Sequence, residues 1–263
     1  MDKAAEVVSE IVKGIIKRAE VGVNLLVLEQ VAEGLMTILN ATSANKGYHP
    51  SWAKIPFPSS ICLGVNDVIV HGVPTDYVLK DGDLLTIDCG ILVGNFAGDC
   101  GVTIPIGTIS GRDTRLLRYT KRALLKGISV IKPGVKVTEV GKAIENYVRV
   151  NGFVVNKRFT GHGIGKAMHE EPRIPHYNIG QEEIVEVLPS GKKKYIYKEY
   201  DNIPIFQVGQ VICIEPHLTY RDEYGTLDKD GWTVRTRDGR NSAFAEEMVR
   251  VTELGAEILT THI

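Results

Sequence analysis

Residues 84–104 carry the strongest constraint in this chain. They are rich in β-branched and apolar residues, break once at Gly94-Asn95, and hold an aspartate on each side of the break. Such a run reads as an antiparallel hairpin. A hairpin turning at Val93-Gly94 sets Asp88 directly opposite Asp99. Cross-strand neighbours hold their Cβ atoms about 4.5–5.5 Å apart, and like charges so placed repel. Two carboxylates facing each other in an apolar hairpin therefore need a cation or a shared proton. A slipped register instead makes both aspartates solvated turn residues. Cys89 and Cys100 tempt as thiolate ligands, but strand alternation turns each to the face opposite its neighbouring aspartate, where it reads as a small buried hydrophobe.

The remaining elements arrange themselves around this hairpin. Residues 3–19 place Val8, Ile11, Val12, Ile15 and Ile16 at helical spacing on one face. Helices are also expected at 22–39, 112–131 and 137–151. Strands are expected at 61–65, 153–160, 210–219, 232–237 and 243–252. Gly22-Val23 and Gly134-Val135 each introduce the second helix of a pair, and Glu33 and Glu145 fall at equivalent places, which hints at an internal duplication. No Pro/Gly/Ser-rich linker separates the copies, so they should share one sheet and one core. The reading is a single α+β domain over 1–263, with a hairpin insertion near 182–206.

Composition narrows the partners. A net charge of −1 gives no general electrostatic reason to bind DNA or a membrane surface. No apolar run reaches the roughly 18 residues that would span a bilayer, and the N-terminal MDKAAEVVSE lacks a signal-peptide pattern. Four cysteines without a C-x-x-C pair suit reduced thiols in the cytoplasm.

Further ionisable residues sit where they are costly to leave unpaired. His162 and His169 lie in TGHGIGKAMHEEP, a glycine-rich segment that leaves their imidazoles unobstructed. Glu170 and Glu171 follow as helix or turn carboxylates on the surface. Glu215 ends the apolar strand VICIE before Pro216, and Glu246 lies in AFAEEMVRVT. Parity does not separate Glu246 from Glu247, because both faces of that strand are apolar. Two Asp, two Glu and one His suit borderline or hard divalent ions. Four carboxylates carry −4, which two divalent cations neutralise, and paired metals recur in amide hydrolysis.

HGVP at 71–74, TIDCG and GDCG within 86–101, GHGIGKAMHEEP at 161–172, IEPH at 214–217 and DGWTVRTRDGR at 230–240 follow in one order. In that order the chain resembles the type I methionine aminopeptidases over nearly its whole length. The resemblance implies the pita-bread fold, a curved antiparallel sheet with two helix pairs related by a pseudo-two-fold. It implies removal of the initiator methionine from nascent polypeptides whose second residue is small. It also implies two divalent ions (Co, Mn, Fe(II) or Zn) on Asp88, Asp99, His162, Glu215 and Glu246, with Glu246 picked over Glu247. His71 and His169 match histidines that contact substrate, Glu215 doubles as a proton acceptor, and Cys62, Phe57, Met168 and Trp232 match the methionine pocket.

The same fold also serves X-Pro aminopeptidases and prolidases, and catalytically inactive binding modules. The HGVP and DGWTV segments and the full ligand set weigh against both. Relative to the family, the N-terminal segment is short, Glu247 stands where His is common, and Met168 and Phe57 replace bulkier or hydroxylated aromatics. Extra sequence, EEIVEVLPSGKKKYIYKEY, lies between His169 and Glu215. It reads as a hairpin whose tip, Pro189-Ser190-Gly191, precedes Lys192, Lys193 and Lys194. The lysines either guard an edge strand or contact ribosomal RNA in transient association with the ribosome. The protein is expected to be a monomer.

Overall fold

Apolar residues at helical spacing drive the first element onto a sheet. In the computed structural model, which describes residues 1–179, 183–187, 193–197 and 203–261, α1 (Asp2–Arg18) buries Val8, Ile11, Val12 and Ile15. Helix α2 (Leu25–Ile38) starts at Asn24, whose side chain accepts the Leu26 N–H and caps the orphan donors of the first turn. Helices α3 (Gly111–Ile128) and α4 (Thr138–Val150) form the second pair.

The strands follow in chain order. The first five are β1 (Thr42–Ser43), β2 (Cys62–Val65), β3 (Val68–Val70), β4 (Leu84–Val93) and β5 (Phe96–Pro105). After the second helix pair come β6 (Val154–Val155), β7 (Gly161–Gly163), β8 (Glu170–Ile174), β9 (Glu183–Val187) and β10 (Lys193–Tyr197). The last are β11 (Val211–Ile214), β12 (His217–Thr219), β13 (Thr226–Leu227), β14 (Val234–Arg235), β15 (Ala243–Thr252) and β16 (Gly255–Ile258). Eleven strands form one sheet along the path β1-β4-β5-β15-β11-β7-β8, with β2, β6, β12 and β16 paired beside it. Every pairing in it is antiparallel.

The helices cover one face. Ile87, Cys89, Ile91, Cys100 and Val102 pack into a core with α1 and α2, whereas Ile212, Ile214, Ala245, Val249 and Val251 pack with α3 and α4. The opposite, concave face is left for Asp88, Asp99, Glu215 and Glu246. The two halves repeat the same backbone frame. Gly22 N–H donates to Leu79 O (2.8 Å), Leu79 N–H to Val23 O (2.8 Å) and Leu25 N–H to Tyr77 O (3.0 Å). In the second half Gly134 N–H donates to Phe206 O (2.8 Å), Phe206 N–H to Val135 O (2.9 Å) and Val137 N–H to Pro204 O (3.0 Å). The duplication hinted at by Gly22-Val23 and Gly134-Val135 is therefore a duplicated hydrogen-bond pattern. These residues enter the helices through strand-like bridges, so α2 and α4 begin later than their periodicity predicts.

Three further expectations need correction. The hairpin turns at Gly94-Asn95, with Val93 opposite Phe96. Gly94, at φ 58°, occupies the first central position, where a two-residue hairpin turn of the II′ class calls for glycine. Asp88 therefore faces Gly101 and Asp99 faces Gly90. The shift is two residues, so both aspartates keep the same face and become diagonal neighbours. The strand expected at 153–160 is only Val154–Val155, because Asn156 turns the chain by accepting the Arg158 N–H at 2.9 Å. Glu170 and Glu171 open β8 instead of lying on a helix or turn, in keeping with Pro172, which pushes the residue before it to extended backbone. In the insertion, β9 and β10 pair antiparallel from Glu183↔Tyr197 to Val187↔Lys193. The expected tip and Lys192 lie outside the described residues.

Candidate metal centre and peptide cleft

Strand geometry concentrates charge at the middle of the concave face. Asp88 comes from β4 and Asp99 from β5. Ile214 pairs with Glu247, so Glu215 and Glu246 are the next residues to face each other between β11 and β15. His162 sits on β7 beside β11. Its Nε2 lies 3.4 Å from Glu215 Oε1 and 3.9 Å from Asp99 Oδ2, while its Nδ1 is 2.9 Å from Gly163 O. That backbone contact assigns the Nδ1 proton and leaves Nε2 a free donor pair aimed at the carboxylates. Asp99 is 6%, His162 5% and Glu246 2% exposed, so none of the three relies on bulk water.

Electrostatics follow from burial. Burial pushes Asp88 up to about 6, against a lowering hydrogen bond from the Cys62 thiol. Burial and then the charge of Asp88 hold Asp99 well above the usual carboxylate range. Glu215 is raised by burial and by Asp99 and Asp88. Glu246 is raised by burial and by Asp99, Glu215 and Asp88. Burial, followed by His169, takes His162 down to about 3. Four carboxylates that resist ionising together, beside a neutral imidazole, make a ready cage for cations. Asp99 Oδ1 is buried without a hydrogen-bond partner, an acceptor that a metal ion would satisfy. The donor set fits divalent metal.

One cleft is lined by all five of these residues together with His71, His169, Cys62, Phe57, Met168 and Trp232. Trp232 meets Phe57 edge-on (centroids 5.1 Å) and His71 likewise (5.8 Å), and its indole N–H donates to Ile55 O at 3.0 Å. Phe57, Cys62 and Trp232 form a small apolar cluster of their own. His169 is exposed at the mouth, with its ring 4.4 Å from that of His162. Burial, then His169 and Arg158, hold His71 down to about 4, so a neutral imidazole faces the cleft.

Residue-by-residue reading of the sequence missed other contributors. Asn45 and Tyr48 also line the cleft. Asn45 accepts the Gly90 N–H at 2.8 Å and donates to Cys62 Sγ at 3.7 Å, tying the β1 loop to the aspartate hairpin. His176, fully buried, accepts the N–H of Gly161 (3.1 Å) and of Glu215 (3.2 Å) on one nitrogen. It thereby fastens together the two strands that carry His162 and Glu215. Cys213 lies within the cluster of Asp99, His162 and Glu246, a group that leaves out Asp88 and Glu215. Glu247 points the other way, toward α3, and accepts a hydrogen bond from Thr260.

A buried cluster of carboxylates and imidazole on a curved antiparallel sheet, open to an apolar cleft, defines a metal-dependent hydrolase. The sequence profile of metallopeptidase family M24 matches residues 1–253, and the chain belongs to that family. A methionine aminopeptidase of Helicobacter pylori is 35% identical over 258 residues, spanning 98% of this chain and 93% of its own. Methionine aminopeptidase 1 of Bacillus subtilis is 35% identical over 260 residues, spanning 99% and 94%. The crystal structure of methionine aminopeptidase from Rickettsia prowazekii superposes with a TM-score of 0.85 at 30% identity over 99% of this chain and 95% of that one. The prolidase from Pyrococcus horikoshii shares the fold alone, with a TM-score of 0.70 at 20% identity over 61% of its length.

Proposed function

We propose that this chain is a metal-dependent aminopeptidase that removes the N-terminal methionine of nascent polypeptides whose second residue is small. The observation that carries this reading is the cleft in which a carboxylate–imidazole cluster adjoins the apolar side chains of Phe57, Cys62, Met168 and Trp232. Relatives named methionine aminopeptidase match over nearly all of the chain. Asp88, Asp99, His162, Glu215 and Glu246 would hold two divalent ions (Co, Mn, Fe(II) or Zn). Bound divalent ions supply Lewis acidity toward water and a scissile carbonyl.

The chain's own groups do the rest. Phe57, Cys62, Met168 and Trp232 receive the methionine side chain and exclude water from it. His71, neutral and braced by Trp232 and Phe159, orients the peptide through the scissile amide nitrogen. His169 donates to the carbonyl oxygen as it gains charge. Glu215 accepts the proton of the attacking water and returns it to the leaving amine. No helix among the described residues is long and apolar enough to cross a membrane. The reading places the enzyme in the cytoplasm as a monomeric catalytic unit, in which Lys192, Lys193 and Lys194 of the insertion guard a strand edge or serve a transient contact with the ribosome.

The test is an N-terminal peptide-library digest by chelated protein with each metal restored, beside Met-Ala-Ser and Ala-Pro peptides. Release of methionine ahead of small second residues is expected. Preference for X-Pro peptides, or full activity in protein verified to be metal-free, would overturn the reading.

A further inference from the structure

The catalytic cleft does not end at its histidines. A second cleft shares His71, His169 and Glu215 with it and continues outward past them. Apolar side chains line much of this outer part. Val70 of β3 pairs with Val234 of β14, and Val234 pairs with Leu227 of β13, so one row of three lines the cleft. Neighbouring strands lie about 4.8 Å apart, so the row carries apolar surface about 10 Å outward from Val70, the residue before His71. Two aromatic rings of the same cleft pack on His71 itself. Trp52 is stacked on it (centroids 6.0 Å, 18° between planes) and Phe159 meets it edge-on (5.1 Å). A further edge contact with Trp232, at 4.9 Å, holds the Trp52 ring beside the apolar cluster of Phe57 and Cys62. Even so, Trp52 is 51% and Leu227 41% exposed. Large apolar side chains left in water singly are ordinary, but gathered in one cleft they mark a binding surface. The charges of that cleft outside the metal ligands, Arg158 and Arg173 against Glu170 and Glu171, cancel. Selectivity there falls to the apolar wall.

We propose that Trp52, with Phe159 and Leu227, forms a subsite for an apolar side chain on the third residue of the substrate peptide. The proposal rests on the aminopeptidase reading above and adds a preference one residue beyond the small second one. In that reading the methionine side chain fills the inner pocket and His71 holds the nitrogen of the scissile amide. The rest of the peptide then leaves along the cleft that continues past His71. In an extended chain the third Cα lies about 5 Å beyond that nitrogen. Its side chain is therefore in reach of the Trp52 ring, whose centroid is 6.0 Å from that of His71. An apolar group there removes the exposed faces of Trp52 and Leu227 from water, whereas glycine leaves them wet. The rival role is an internal brace, in which Trp52 only packs on His71 and acts on every peptide alike.

The experiment measures kcat and KM for the amides of Met-Ala-Phe-Gly and Met-Ala-Gly-Gly with full-length protein supplied with Co(II). Wild type is compared with Trp52→Ala, Trp52→Phe and Leu227→Ser. Wild type should favour the phenylalanine peptide by about 10-fold in kcat/KM, the scale of partly burying one such side chain. The gain should lie in KM, because the contact is equally strong before and during reaction. Trp52→Ala should bring the ratio of the two peptides to within about 2-fold of unity, and Trp52→Phe should restore most of it. Leu227→Ser should lower the ratio part-way, and it decides the matter should Trp52→Ala fail to fold. Equal turnover of both peptides by wild type overturns the proposal and leaves the aminopeptidase reading intact. So does a ratio unchanged in Trp52→Ala or Leu227→Ser, including one in which both peptides slow together. Release of methionine from neither peptide by wild type overturns both.

Discussion

The two halves of the molecule use one backbone frame for unequal purposes. In the first, Gly22 and Val23 bridge to Leu79, and β4 and β5 follow as a local hairpin joined by two residues. In the second, Gly134 and Val135 bridge to Phe206, and β11 and β15 pair across a long segment that carries β12, β13 and β14. Gly82 N–H to Ile106 O (2.9 Å) is mirrored by Gly209 N–H to Val251 O (2.8 Å), which places Asp88 and Glu215 at equivalent points, six residues on in each half. The halves part in what accompanies the carboxylates. The first turns both hairpin cysteines toward the helices and builds the apolar pocket with Phe57 and Cys62. The second turns Cys213 inward and adds His162, His169 and His176. The shared frame puts carboxylates at matching points in both halves, and divergence around them gives the first half an apolar cluster and the second its histidines.

The largest effect should come from removing one carboxylate per half. Asp99→Asn and Glu246→Gln should each lower kcat/KM for a Met-Ala-Ser peptide by about 10³-fold or more, since metal Lewis acidity is worth several kcal/mol. Stripping metal should lower the Tm of wild type through lost linkage. A variant from one half that keeps near-wild-type turnover would break the symmetric cage.

Next comes an asymmetric residue. His169→Ala should cut kcat by roughly 10²–10³-fold, as loss of an oxyanion donor does, with metal content unchanged. A lost metal ion in that variant would move His169 into the cage itself.

A smaller effect separates the halves in stability. Asp222, in the second half, is 5% exposed. Burial opposes its ionisation, but the Arg237 guanidinium at 2.5 Å and the N–H groups of Arg237, Gly225 and Tyr224 outweigh it and hold the carboxyl well below the usual range. A depressed pKa gives stability that is present above the unfolded value near 3.9 and lost as pH falls through the folded one. Asp222→Asn should therefore lower stability by about 2 kcal/mol at pH 7, and the gap to wild type should narrow below about pH 4. Urea melts at pH 7 and pH 3 check both statements, and a gap that widens on acidification refutes the ion-pair account.

The smallest effect tests the frame. Gly22 and Gly134 hold φ of 91° and 81° with nothing within 4 Å of an added Cβ, so only backbone strain opposes alanine. Gly22→Ala and Gly134→Ala should each cost about 1 kcal/mol, and by equal amounts if the halves are mechanically equivalent. Denaturation midpoints of the two variants decide it.

Much of this was legible in the chain. Alternation along 84–104 put Asp88 and Asp99 on one face and Cys89 and Cys100 on the other, because a two-residue period survives a two-residue register error. That error came from the turn, where Gly94's positive φ decides which residues sit at the tip. The family motifs named His71, His162, His169, Glu215 and Glu246, and the structure gathers them into one cleft. Cys213 was within reach of the same alternation argument, two residues from Glu215. His176 was not, since a histidine in a loop carries no local sign of holding two distant strands.

By itself the sequence determined what local periodicity and short motifs encode: four helices, the aspartate hairpin, the repeated Gly-Val bridges and the types of donor available. The residues alone left Glu246 and Glu247 open, the family motif pointed to Glu246, and the tertiary structure shows what each of them faces. Both faces of β15 are apolar, and the choice is made by α3 packing over one face while the metal cluster occupies the other. Which of two neighbouring carboxylates faces the cluster depends on what covers each side of the strand, and that covering comes from residues more than a hundred positions away.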